Sequence, residues 1–164
     1  MIVARNPRTF NTLPVIEFNR KRNNFELDNR PEGLEANMLK EGIQEFYEAE
    51  TLAERIEAIL DALYVYSGTK IKFIYNGLVI NDKTIELFMV FLNMSLDIVE
   101  AELGDDSQYL DKIMDKAWDI VCEINAMKAA ELDVNGKVIK QDDLPNATEK
   151  IAELLGSMLT DARE

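Results

Sequence analysis

The sequence predicts an all-α fold, a helical bundle of about five helices, and three observations carry that reading. Apolar residues beyond Glu35 recur at spacings of three and four over long stretches. Three of the four prolines fall within residues 1–33, so the rest of the chain is almost free of helix breakers. With 164 residues and 47% hydrophobic content the chain can bury one core and is short for two, which makes residues 1–164 a single domain.

Residues 1–33 read as an N-terminal arm without sustained periodicity, holding one short helix near "VIEFNRKRN". From Glu35 to Gly68, apolar positions 39, 43, 46 and 47 and then 52, 56, 59, 63 and 66 keep helical spacing, as two helices or one bent one. "TLAE" at 51–54 fits a capping box, with Thr51 capping a new helix and Glu54 reaching back to the Thr51 amide, so a tight turn is expected at about 49–51. Residues 70–82, "KIKFIYNGLVIND", set β-branched and aromatic side chains around Asn76-Gly77 and predict a short irregular or hairpin-like connector. A very apolar helix over 83–102 then ends at Gly104. Another covers 107 to about 131, with Leu110, Ile113, Met114, Ala117, Val121 and Ile124 on one stripe. A loop containing Gly136 and Pro145 leads to a last amphipathic helix over 147–161.

Composition narrows the chemistry. Lys and Arg total 18 against 31 Asp and Glu, a formal charge of −13, which disfavours direct contact with nucleic acid or an anionic membrane because both are polyanions. No histidine is present, so catalytic triads, His-ligated zinc and histidine acid–base chemistry are excluded. Cys122 is the single cysteine and lies in an apolar-periodic segment, where a small buried hydrophobe is expected. The opening "MIVARNPRTFNTLPVIEFNR" lacks the apolar run of a signal peptide, and no stretch reaches the roughly 18 apolar residues of a membrane span. A cytoplasmic protein is the expectation.

Residues 41–61, "EGIQEFYEAETLAERIEAILD", carry acidic side chains at 41, 45, 48, 50, 54, 57 and 61. On a helical wheel Glu41, Glu45 and Glu48 fall within about 60° of one another. Glu54, Glu57 and Asp61 share a face that continues as Tyr64, Val65 and Gly68, a change from acidic to apolar that a purely solvated face does not need. In an antiparallel hairpin turning near Thr51, facing positions sum to about 102, which sets Glu45 level with Glu57 and Glu41 level with Asp61, two layers about 6 Å apart. Such a cluster is either a solubilising surface or a hard-oxygen site suited to Mg²⁺.

Three stretches resemble the all-α nucleoside triphosphate pyrophosphohydrolases, the MazG-like and phosphoribosyl-ATP pyrophosphohydrolase-like group. "KEGIQEFYEA" at 40–49 looks like the family's first helix with its EExxE pattern. "ERIEAILDALYVYSGT" at 54–69 is similar to its ExxD helix and the aromatic-rich end of that helix. "WDIVCEINAMKAAELDVNGKVIKQDDLP" at 118–145 resembles the late helix with NxxK and the following lysine-bearing GKVxK loop. The match departs at two acidic positions, which fall on Gly42 and Ala58, with Glu57 one residue before the latter.

The resemblance implies Mg²⁺-dependent hydrolysis of a (deoxy)nucleoside triphosphate to nucleoside monophosphate and pyrophosphate, with Mn²⁺ as the alternative ion, by a homodimer or tetramer. It implies Glu41, Glu45, Glu57 and Asp61 around the metal, Glu45 or Glu48 as catalytic base, and Asn125, Lys128, Lys137 and Lys140 on the phosphates. The altered positions leave open a catalytically weakened relative that serves as a helical binding or regulatory module and uses the 83–102 helix as its interface.

Overall fold

The periodic segments fold as helices separated by short turns. The structure, a computed structural model, describes residues 13–21, 34–78, 82–130 and 144–163. In chain order the elements are α1 (Leu13–Lys21), α2 (Leu34–Glu48), α3 (Leu52–Tyr75), α4 (Asp82–Leu103), a 3₁₀ turn (Gly104–Tyr109), α5 (Leu110–Ala130) and α6 (Ala147–Arg163). No strand occurs among the described residues, so the all-α expectation holds.

The break between α2 and α3 lies where the capping residues place it. Thr51 is extended (φ −124°, ψ 159°), and its Oγ1 accepts a hydrogen bond of 3.2 Å from the Glu54 amide. The reciprocal arm of the expected box goes elsewhere. The Glu54 carboxylate accepts from the Glu50 amide at 3.2 Å, because that amide lies beyond the α2 hydrogen-bond ladder. Arg55 closes the corner from the other side. Its Nη1 donates to the Ala49 carbonyl at 3.1 Å, and its guanidinium forms a two-pronged ion pair with Glu102 near the end of α4, with Nε to Oε2 at 2.9 Å.

The two helices of this hairpin approach closely because Gly42 has no side chain. A Cβ at that position would lie 3.3 Å from the Ala62 Cβ, tighter than ordinary van der Waals contact. A mid-helix glycine costs about 1 kcal/mol of helix propensity. The contact it allows lets Phe46 reach the buried face formed by Ile56, Ile59 and Leu60, each worth about 1.5–3 kcal/mol of burial. The balance favours the glycine.

The connector expected at 70–82 is corrected: α3 continues to Tyr75. Thr69 and Lys72 are buried there, and Thr69 Oγ1 donates to the Val65 carbonyl one turn back, so tertiary packing outweighs the β propensity of "KIKFIY". The Asn-Gly pair acts as a helix stop instead of a hairpin turn. Asn76 caps α3, and Gly77 takes a left-handed φ of 71°. Helix α4 runs back along α3, with Tyr66 stacked on Phe88 (centroids 4.0 Å apart, planes 2° apart), and Gly104 ends it at φ 57°.

Helices α5 and α6 pack on the other side of α3, and α1 joins them, so the short helix expected in the arm is part of the core. Val15 is fully buried, Phe18 meets Tyr64 edge-on at 5.6 Å, and Asn19 Nδ2 donates to the Val15 carbonyl at 2.8 Å beside Gly68. Trp118, Val121 and Cys122 of α5 complete this region. Burial pushes the Cys122 thiol up to about 12, with the Asp119 charge adding to it, which fits an inert packed residue. Among the described residues no helix is long and apolar enough to cross a membrane.

Replacing Thr51 by Ala removes the acceptor at the start of α3. A loss of about 1 kcal/mol is expected, read as a lower urea midpoint at unchanged m-value.

Candidate functional site

The α2–α3 hairpin builds an acidic cleft from residues three and four apart on each helix. Glu45 and Glu48 enter from α2, and Glu54, Glu57 and Asp61 from α3, with Ala49 and Ala58 between them, around a volume of about 450 Å³. The small side chain at Ala58 matters, since this residue is buried and a larger group would fill the floor of the cleft.

Electrostatics support one of the two layers expected for the hairpin, Glu45 with Glu57. Burial raises the affinity of the Glu45 carboxyl for its proton, and the charges of Glu57, Glu41 and Glu48 raise it further, in that order. Asp61 is pushed up to about 7 by burial, then by Glu57 and Glu45, while Lys128 of α5 pulls in the opposite direction. Glu45 of α2 and Glu57 of α3 therefore face one another across the cleft. Asp61 is its innermost acid, and Lys128 is the cation whose charge reaches it.

The remaining residues of the expected set divide. Glu41 is exposed and does not line the cleft, acting on it only through its charge on Glu45. Glu48 lines the cleft and accepts a hydrogen bond from Gln44 Nε2 at 2.8 Å. Asn125 sits one turn before Lys128 on α5 and donates one amide hydrogen to the Val121 carbonyl at 3.0 Å. Lys137 and Lys140 lie outside the described residues.

Two features were not foreseen. Glu54 lines the cleft in addition to its role at the turn. Thr148, in the first turn of α6, donates its hydroxyl hydrogen to the Glu57 carboxylate. Asn146 fixes the start of α6, its Oδ1 accepting from the Glu149 amide at 3.1 Å, and so holds Thr148 against Glu57.

The donors fit a hard cation in chemistry, being carboxylate oxygens alone, and in charge, since burial first and the charges of Glu57 and Glu45 after it push Asp61 up to about 7. Among the described residues no three acidic or cysteine side chains are drawn together as a finished coordination set. Glu57 accepts from Thr148 and Glu48 from Gln44, while burial and neighbouring acids raise the proton affinity of Glu45 and Asp61.

No protein-family model, curated protein or solved structure matches the chain.

The raised Asp61 value has a defined sign in stability. The folded state binds this proton more tightly than the unfolded chain, so the contribution of Asp61 falls as pH rises from about 4 to about 7 and is fully lost above that. The Asp61→Asn variant cannot ionise. Chemical denaturation is expected to give it stability close to wild type at pH 4 and roughly 1–3 kcal/mol above wild type at pH 8.

Proposed function

We propose that the chain is a Mg²⁺-dependent nucleoside triphosphate pyrophosphohydrolase whose metal site is the α2–α3 cleft. The observation that carries this reading is the crowding of Glu45, Glu57 and Asp61 around one opening, with Asp61 held near pH 7 and Lys128 beside it. Crowding of this kind is unfavourable on its own and becomes favourable with a divalent cation. Glu45, Glu57 and Asp61 would hold the ion, with Glu41 adding charge at the outer edge. When bound, Mg²⁺ supplies charge neutralisation of the triphosphate and Lewis acidity at phosphorus.

The protein's own groups have separate tasks. Glu45, or Glu48 one turn later, takes a proton from the attacking water as its oxygen bonds to the α-phosphorus and the bond to the α–β bridging oxygen breaks. Lys128 offsets negative charge on the departing pyrophosphate. Asn125, with one amide hydrogen held by the Val121 carbonyl, would give the other to a phosphate oxygen.

Pyrophosphate release from a panel of ribo- and deoxyribonucleoside triphosphates with Mg²⁺ is expected for wild type, falling at least about 100-fold in Glu45→Gln and Asp61→Asn. Equal inactivity of all three proteins across the panel would remove the enzyme reading.

One observation favours the second reading, a weakened relative acting as a binding module. The position at which the resemblance expects an acid is Gly42, and it is buried against Ala62 at the helix crossing. Restoring the acid there, Gly42→Glu, is expected to lower stability by about 1–3 kcal/mol and not to increase turnover. A rise in turnover would show instead that Gly42 had weakened a working site.

A further inference from the structure

Helix α6 packs on α3 and α5 along a stripe in which Thr148 stands one turn before Ile151 and two turns before Leu155, the spacing of one helix face. Ile151 is fully buried and Leu155 nearly so, which makes this the face turned to the core. An apolar side chain at 148 would continue the stripe. Threonine instead sets a hydroxyl there, in the first turn, and that hydroxyl donates to Oε2 of Glu57, 91 residues away in the chain. The start of α6 is fixed independently. Asn146 Oδ1 accepts from the Glu149 amide and the Asn146 carbonyl from the Lys150 amide, both at 3.1 Å, so the hydroxyl comes from a turn that is already capped.

The origin of the donor decides what the bond can do. Glu48 accepts from Gln44 of its own helix and the Glu54 carboxylate from the Glu50 amide, so these bonds arise within the hairpin and move with it. Glu57 accepts from a third helix. A glutamate side chain turns about several χ bonds, and holding one of its oxygens from a separate element restricts them before any ligand arrives. With Oε2 on Thr148, Oε1 is left to the cleft that Glu57 lines. Carboxylates that hold a cation keep their orientation through outer hydrogen bonds of this kind. A bond serving packing alone would tie α6 to α3 equally with and without a cation. One that orients a ligand is coupled to binding in both directions, because linkage is reciprocal.

On the reading of the cleft as a Mg²⁺ site, on which this rests, we propose that Thr148 is a positioning residue for Glu57. Its hydroxyl holds the carboxylate in the orientation that meets the cation, and docking of α6 and cation binding thereby strengthen each other. Thr148 touches neither cation nor substrate and acts through Glu57.

Isothermal titration calorimetry of the full chain with Mg²⁺ alone reads the first direction of this coupling. Thr148→Val keeps the shape and removes the hydroxyl, and its Mg²⁺ dissociation constant is expected to rise about 10-fold or more. Thr148→Ser restores the donor and is expected to return close to wild type. Ile151→Val loosens the packing of α6 but leaves the hydroxyl, so it should lower the thermal midpoint without changing the dissociation constant. Hydrogen exchange reads the other direction. Saturating Mg²⁺ is expected to slow exchange at the Ile151–Leu155 amides about 10-fold in wild type and hardly at all in Thr148→Val. Equal Mg²⁺ affinity in wild type and Thr148→Val would overturn the proposal and leave the metal site standing. So would equal loss of affinity in Thr148→Val and Thr148→Ser, which would trace the effect to shape and not to the donor. Absence of Mg²⁺ binding by wild type would remove the metal site, and the proposal with it. Should circular dichroism show Thr148→Val unfolded, exchange in wild type decides, since α6 amides unmoved by bound Mg²⁺ overturn the coupling.

Discussion

The closeness of α2 and α3 is the constraint on which the rest depends. With no side chain at Gly42, the helices meet at Ala62, and the carboxylates on their neighbouring faces are brought within each other's fields. A larger residue at the crossing would spread the hairpin, easing the repulsion and also opening the cleft. The same contact thus contributes packing and creates electrostatic strain. Arg55 limits how far that strain can relax, because it ties the turn carbonyl at Ala49 to Glu102 of α4.

Relief of the strain is uneven. Glu57 gains a hydroxyl donor from Thr148 and Glu48 an amide donor from Gln44, while Asp61 has the opposing charge of Lys128 and still holds its proton to about pH 7. A solvated surface would let such side chains separate, whereas the close crossing at Gly42 holds them near one another. Burial adds most to the perturbation of Asp61, the innermost acid.

What the sequence made legible was whatever depends on residues near one another in the chain. The Thr51 cap rests on a three-residue spacing, and the facing of Glu45 and Glu57 follows from the turn it sets, so both could be read without coordinates. The 70–82 segment misled because β-branched residues and Asn-Gly are local signals for a hairpin. Burial of Thr69 and Lys72 against the bundle, which no local signal reports, keeps α3 helical to Tyr75. Gly42 stood out as a departure from a pattern, yet its reason lies twenty residues away at Ala62. The Thr148–Glu57 bond spans 91 residues and had no signal at all.

That last bond gives the cleft a chronology. Chains emerge at about 5–20 residues per second, so several seconds separate synthesis of Glu57 from synthesis of the hydroxyl that satisfies it. During that interval the hairpin is already encoded, but the donor from α6 does not yet exist. The order of translation thus makes the Thr148–Glu57 bond the last of the hydrogen bonds described in the cleft to become possible.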